Sequence, residues 1–482
     1  MARKPARRAG VTNELSTGAG SATGAMVQGW EDDPGPAVLV QRPAPDLTKE
    51  PLAFSFDRPQ PPAQIYEPGT DGFRYWAAAE ALRRAADFWA PLMPTAVWEP
   101  GPTLNVILDE AEDLNAYYDR NALNFFHGRG VSGTVYSGES PDIVCHEMGH
   151  AILDSIKPQL FDAMSSEAAA FHESFADISA ILSALQLPSL RASVLTDTRG
   201  RLYTSSRLSR LAEQLGSAIR LVAPDAAEPD CLRNAVNSWV YQDPTSLSQG
   251  GPASQLTSEA HNFSRVFTGA AFEILAGMLS AKAATPGAPT EGELQAVSFE
   301  FALILITGVQ NAPVAPNWYA QVAAAMVDAS ANVNAAYPPI FRAVFVRRSI
   351  LSMDTAANVA KLRQSLVARS SARETDQPLA DLAMPADDYG LEEAIVVSAA
   401  SHARPYLARS AATLHNGPVE PVGSATAARS YLDDLFSRGR VDYGEMKGTH
   451  FDHGRKLCSH VLVREKGAVR LRRRLFDCGF AP

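Results

Sequence analysis

Two apolar helical segments in mid-chain carry more ionisable groups than a buried helix tolerates, and this dictates how they must pack. The first is PDIVCHEMGHAILDSI, residues 141–156; the second is SEAAAFHESFADISAIL, residues 166–182. Ser140 can cap the first, Pro141 suits its opening turn, Asp142 favours the positive end of its dipole, and Pro158 stops it. Residues four apart share a helix face, so His146 and His150 project together, as do Glu173 and Asp177. Unpaired buried polar groups cost a few kcal/mol each, and a buried carboxylate needs a charge partner. An ordinary polar face is one alternative. A shared zinc ion is the other: two histidines, Glu173 as third ligand, and a position left for water. Asp177, one turn on, can accept the second ring N–H of a ligand histidine. Glu147 is placed to reach that water without being aimed as a ligand. Glu167 lies on roughly the opposite face and receives no role.

The motifs HEMGHAILD and AAFHESFAD, in this order and spacing, resemble the thermolysin-like gluzincins, whose HExxH is followed by a ligand glutamate in NEAxSD. The resemblance implies zinc ligands His146, His150 and Glu173, general base Glu147, and Asp177 behind a ligand histidine. LNAYYD, starting at Leu114, resembles the family's substrate-binding edge strand. It implies that the Asn115 side chain and the Ala116 carbonyl hold a peptide backbone, since a free strand edge accepts an extended peptide. Arg233 and His261 stand at the family's separation, which implies an arginine bonded to a substrate carbonyl and a histidine that stabilises the oxyanion. A surface arginine and a helix-capping histidine are the plainer alternatives. Three departures stand out. The neighbourhood that should hold an oxyanion tyrosine has Phe161 and Met164. No aspartate falls near Leu256 to orient His261, and only Glu259 can substitute. ISAILSALQLPSL carries no carboxylate, so no structural calcium is expected there.

At 482 residues the chain implies two or three domains. The fold class expected is α+β, and the resemblance implies a two-lobed zincin. The divisions are a disordered arm (1–62), a mixed α/β lobe with the edge strand (63–140), a helical zinc-binding lobe (141–352), a linker (353–390) and a small α+β domain (391–482). Helices are expected over 141–157, 166–186, 205–222, 259–283, 293–309, 317–334 and 339–351. A net charge of −10 argues against a nucleic-acid partner. Apolar runs broken by charge or proline argue against a membrane span. No secretory signal follows the basic start, so cytoplasm is the default, with signal-independent export as the alternative. The four cysteines are too scattered for a disulfide framework. Cys145 reads as a small buried hydrophobe, and THFDHGRKLCSH shows no ligand spacing.

The function expected is a zinc-dependent endopeptidase, hydrolysing peptide bonds of a peptide or protein substrate through a metal-bound water activated by Glu147. Two alternatives accompany it: a zinc-binding interaction protein of the same fold without proteolysis, and a latent peptidase whose arm or C-terminal unit covers the cleft.

Overall fold

The computed structural model describes residues 24–34, 38–359, 378–400, 408–411, 417–444 and 458–479. The chain opens with β1 (Met26–Trp30), β2 (Leu39–Pro43) and β3 (Ala53–Phe56), then α1 (Asp71–Trp89). Five short strands follow: β4 (Thr103–Ile107), β5 (Ala116–Tyr118), β6 (Ala122–Phe125), β7 (His127–Arg129) and β8 (Thr134–Tyr136). Next come α2 (Pro141–Ile156), α3 (Gln159–Asp162), α4 (Ser166–Ala184), α5 (Pro188–Asp197), β9 (Arg210–Leu211), α6 (Glu213–Val222) and β10 (Arg233–Asn234). The long helices are α7 (Ala260–Lys282), α8 (Glu291–Asn311), α9 (Trp318–Val333) and α10 (Tyr337–Arg347). The last part holds β11 (Ala380–Met384), β12 (Ile395–Ala399), α11 (Ser424–Ser437), β13 (Val441–Asp442), β14 (His460–Glu465), β15 (Ala468–Arg473) and β16 (Phe476–Asp477). The fold is therefore mixed α and β.

Local chemistry sets the ends of the helices that matter here. Ser140 Oγ accepts from Ile143 N at the start of α2, and Ser165 Oγ does the same from Ala168 N for α4. Each satisfies an amide that the helix leaves orphaned. α2 and α4 are apolar almost all round and buried along nearly their whole lengths, as a core helix pair should be. They pack on each other, on α1 and on β5.

Two five-stranded sheets flank this helical core. One has the order β16-β5-β6-β4-β3, with β3, β4 and β6 parallel and β5 antiparallel to both β6 and β16. The other has the order β11-β12-β15-β14-β13. A single apolar cluster runs through both, from Leu104 and Val144 to Ile395 and Leu471.

Four expectations need correction. Residues 1–62 hold three strands among the described residues: β1 pairs with β2 and packs on α1, and β3 joins the main sheet beside β4. Val27 and Phe54 give these strands buried faces, and Arg207 meets Glu31 and Asp32. The last ninety residues are not a free-standing unit, because β16 crosses to pair with β5. The helix expected from residue 205 begins at Glu213; residues before it form β9, paired with β10. α8 is the one described helix whose length and composition would let it cross a bilayer, yet 56% of that stretch is buried in the protein. Part of the linker, with His450 and His453, lies outside the described residues.

Candidate metal centre and cleft

Gly149 sets the approach of α2 to α4. A Cβ there would lie 2.6 Å from the Cα of Ala176 and 2.9 Å from the Cβ of Ser179, so only glycine lets the backbones meet. The histidine face of α2 thereby abuts the carboxylate face of α4. His146 Nε2 lies 3.3 Å from Glu173 Oε2, and His150 Nε2 lies 3.8 Å from Glu173 Oε1. One donor atom from each of the three falls within 4.8 Å of the others, and all three residues are buried. They form a possible metal-binding triad.

Hydrogen bonding shows what this triad lacks. Both nitrogens of His150, Nε2 of His146, Oε2 of Glu173 and both oxygens of Glu147 are buried without an aligned hydrogen-bond partner. Proteins rarely bury polar atoms in this condition, because each costs free energy. Two imidazole nitrogens and one carboxylate are the donor set of an open zinc site, so the residues present fit that ion.

Electrostatics point the same way. Burial would lower the pKa of His146, but the adjacent Asp177 and Glu173 carboxylates outweigh it and hold the ring up at about 9 in the absence of metal. Burial and the neighbouring cationic groups push the His150 pKa well below its ordinary value, so that ring is held neutral. Burial pushes the Glu147 carboxyl up to about 8 against the pull of His146. A carboxylate with raised pKa in a cleft has the affinity for a proton that a general base requires.

Asp177 Oδ1 lies 3.0 Å from His146 Nδ1, which leaves Nε2 free to face the triad. Arg233, buried on β10, donates to the same carboxylate from Nη2 at 2.8 Å and from Nε at 3.1 Å. Burial opposes the charge on Asp177, but Arg233 and His146 overcome it and hold the carboxyl far below the usual carboxylate range. Arg233 was expected to hold a substrate carbonyl. It borders the cleft, but its Nε and Nη2 groups are committed to Asp177.

His261 stands in the first turn of α7, beside the triad, with Nε2 3.4 Å from Glu173 Oε2. Glu259 is the N-cap of that helix. Its Oε2 accepts from Asn262 N at 2.9 Å while its Oε1 binds His261 Nδ1 at 2.7 Å. One glutamate thus caps the helix and aims the imidazole, in place of the aspartate missing near Leu256. Burial pulls the His261 pKa down, but Glu173 and Glu259 hold it up at about 9. With Nδ1 bound to Glu259, Nε2 of His261 faces the cleft.

Asn115 and Ala116 sit at the start of β5, at the sheet border as expected, but that border is not free. β16 runs antiparallel along it. Cys478 N donates to Ala116 O at 2.9 Å, and Gly479 N donates to Asn115 Oδ1 at 2.7 Å. Phe476 stacks on the rings of His150 and His172, at centroid distances of 4.9 and 4.1 Å. His172 and residues 476–479 were not singled out from the sequence. His172 looks like one more polar residue on an apolar helix, and a partner for β5 more than 350 positions away leaves no local signal. Cys145 is buried with Sγ 3.6 Å from Ala81 O, which suits a small hydrophobe.

No family model and no curated protein matches this sequence. Among solved structures, the chain is similar to the precursor of protealysin, a metalloproteinase from Serratia proteamaculans. The identity is 13%, the match covers 62% of this chain and 87% of that one, and the TM-score is 0.40.

Proposed function

We propose that this chain is a zinc-dependent endopeptidase with a thermolysin-like zincin fold. The carrying observation is the buried set of His146, His150 and Glu173, with unpartnered donor atoms converging within 4.8 Å beside the buried carboxylate of Glu147. A purely structural metal site has no use for a carboxylate at its side that is not one of its ligands.

His146, His150 and Glu173 would hold the ion, and Asp177 with Arg233 behind it would fix the His146 tautomer. Zinc, when bound, supplies Lewis-acid polarisation of water and of a carbonyl. Glu147 takes a proton from the attacking water and delivers it to the leaving amide nitrogen. His261, oriented by Glu259, donates to the oxygen on which negative charge develops. A donor of this kind contributes about 10²–10³ in rate. Asn115 and Ala116 align an extended peptide along β5.

Metal content and cleavage of an unfolded protein such as casein test the reading together. One zinc per chain should bind to the native protein and to Glu147→Gln, and be lost in His146→Ala. Glu147→Gln should cut more slowly by about 10²–10⁴-fold, the usual contribution of a general base. Zinc retained by His146→Ala, or equal cutting by Glu147→Gln, would refute the assignment.

A further inference from the structure

The groups that the proposed reaction uses to hold a peptide are engaged by the chain itself. Three contacts from two separate elements agree in register. His261 Nε2, at the N-terminus of α7, lies 2.5 Å from the carbonyl oxygen of Asp477. The next amide, Cys478 N, is bonded to Ala116 O of β5, and the one after, Gly479 N, to Asn115 Oδ1. The carbonyl that meets the oxyanion donor and the amide that meets the substrate strand therefore belong to one peptide bond, Asp477–Cys478. The Cys478 side chain is buried beside Glu147, and Cys478 lines a small pocket together with Ile143, His146, Asp177, Leu232 and Arg233.

The fit is tight on both flanks. Upstream, Phe476 lies over His150 and His172, Arg473 Nε donates to Phe161 O at 2.8 Å, and Arg440 pairs with the Asp477 carboxylate at 2.5 Å. Downstream, a Cβ on Gly479 would come within 2.3 Å of Asn115 Oδ1, so any larger residue after Cys478 would have to displace the Asn115 amide from its bond to the strand. A strand that merely completed a sheet would need the bonds to β5 only. It would have no reason to direct its carbonyl at His261.

We infer that Leu475–Gly479 is an internal pseudosubstrate: it lies in the cleft in the pose of a bound peptide, with the Asp477–Cys478 bond at the reacting position, and excludes peptide substrates until β16 leaves β5. This rests on the endopeptidase reading, which assigns His261, Asn115 and Ala116 their roles. β-Strand addition is the recognition mode, supplied here within one chain.

The test uses zinc-loaded full-length protein carrying Glu147→Gln, so that cutting does not intervene. In hydrogen exchange, the amides of Cys478 and Gly479 should be slowed about tenfold or more relative to an open peptide. A fluorescein-labelled peptide RLFDCGFAP should bind the variant that also carries Cys478→Pro, which lacks the amide that bonds Ala116. Its affinity there should exceed that for Glu147→Gln alone about tenfold or more, because apparent affinity scales with the open fraction. Unprotected amides, equal affinities, or no binding to either protein would overturn the inference. Casein cleavage with Glu147 intact separates the two readings. If native chain and Cys478→Pro cut equally fast, the pseudosubstrate fails and the peptidase stands. If exchange and peptide binding come out as expected but neither protein cuts, docking stands and the peptidase fails.

Discussion

Asp177 is buried against His146 and Arg233, and the first of these contacts was visible in advance. Its distance of four residues from Glu173 places it on the ligand face, a local relation that any helix enforces, and so its contact with His146 was legible. Arg233 was legible as a site residue but not as the partner of Asp177, because helix periodicity says nothing about where β10 will dock. The pairing has a measurable consequence. Arg233→Leu would leave a buried carboxylate opposed only by a histidine, and breaking a buried pair on one side costs about 3–5 kcal/mol. Urea denaturation should show a loss of that order. Glu259 illustrates a different limit. The sequence marked it as the one available substitute for a missing aspartate. Its second task, capping α7, could be inferred only once the start of that helix was known.

At the scale of elements, the α2–α4 pair was the most legible part of the chain, since both helices have strong caps and complementary charged faces. Gly149 shows how closely that pair is specified. Replacing it with alanine forces α2 and α4 apart by several tenths of an ångström, against backbone that has little room to yield. Overpacking of this kind costs about 1–3 kcal/mol. Gly149→Ala should therefore lower the midpoint of thermal unfolding and weaken zinc affinity in the same protein, because the displaced face carries the histidines. The short strands were less legible. β1, β2 and β3 lie in a stretch rich in glycine, proline and arginine, and composition there pointed to disorder. Their stabilisation comes from α1, β4 and Arg207, all remote in sequence. β9 and β10, two residues each, exist only by pairing with one another.

Across the whole molecule, Glu167 ties together parts that the sequence left unrelated. It sits at the start of α4, fully buried, and accepts from the Tyr241 hydroxyl and from the backbone N–H of Tyr319 in α9, both at 2.7 Å. Burial pushes its carboxyl up to about 8, against those two bonds. A group whose folded pKa is raised contributes stability that is full below its ordinary value of 4.5 and is lost as pH rises through about 8. Glu167→Gln keeps the position neutral. Its melting temperature should fall by a few degrees less than that of the native chain between pH 5 and about 8, and parallel curves would show that Glu167 does not titrate in this window.

The pairing of β5 with β16 also orders events in time. β5 emerges from the ribosome long before β16, and domains fold as they are made. Contacts between residues so far apart in sequence form late and slowly. The residues proposed to act on a peptide, from Asn115 to His261, all precede residue 282, whereas α11, β15 and β16 line the same cleft from the far end of the chain. A nascent chain therefore passes through an interval in which those residues have been translated and the segment that covers them has not.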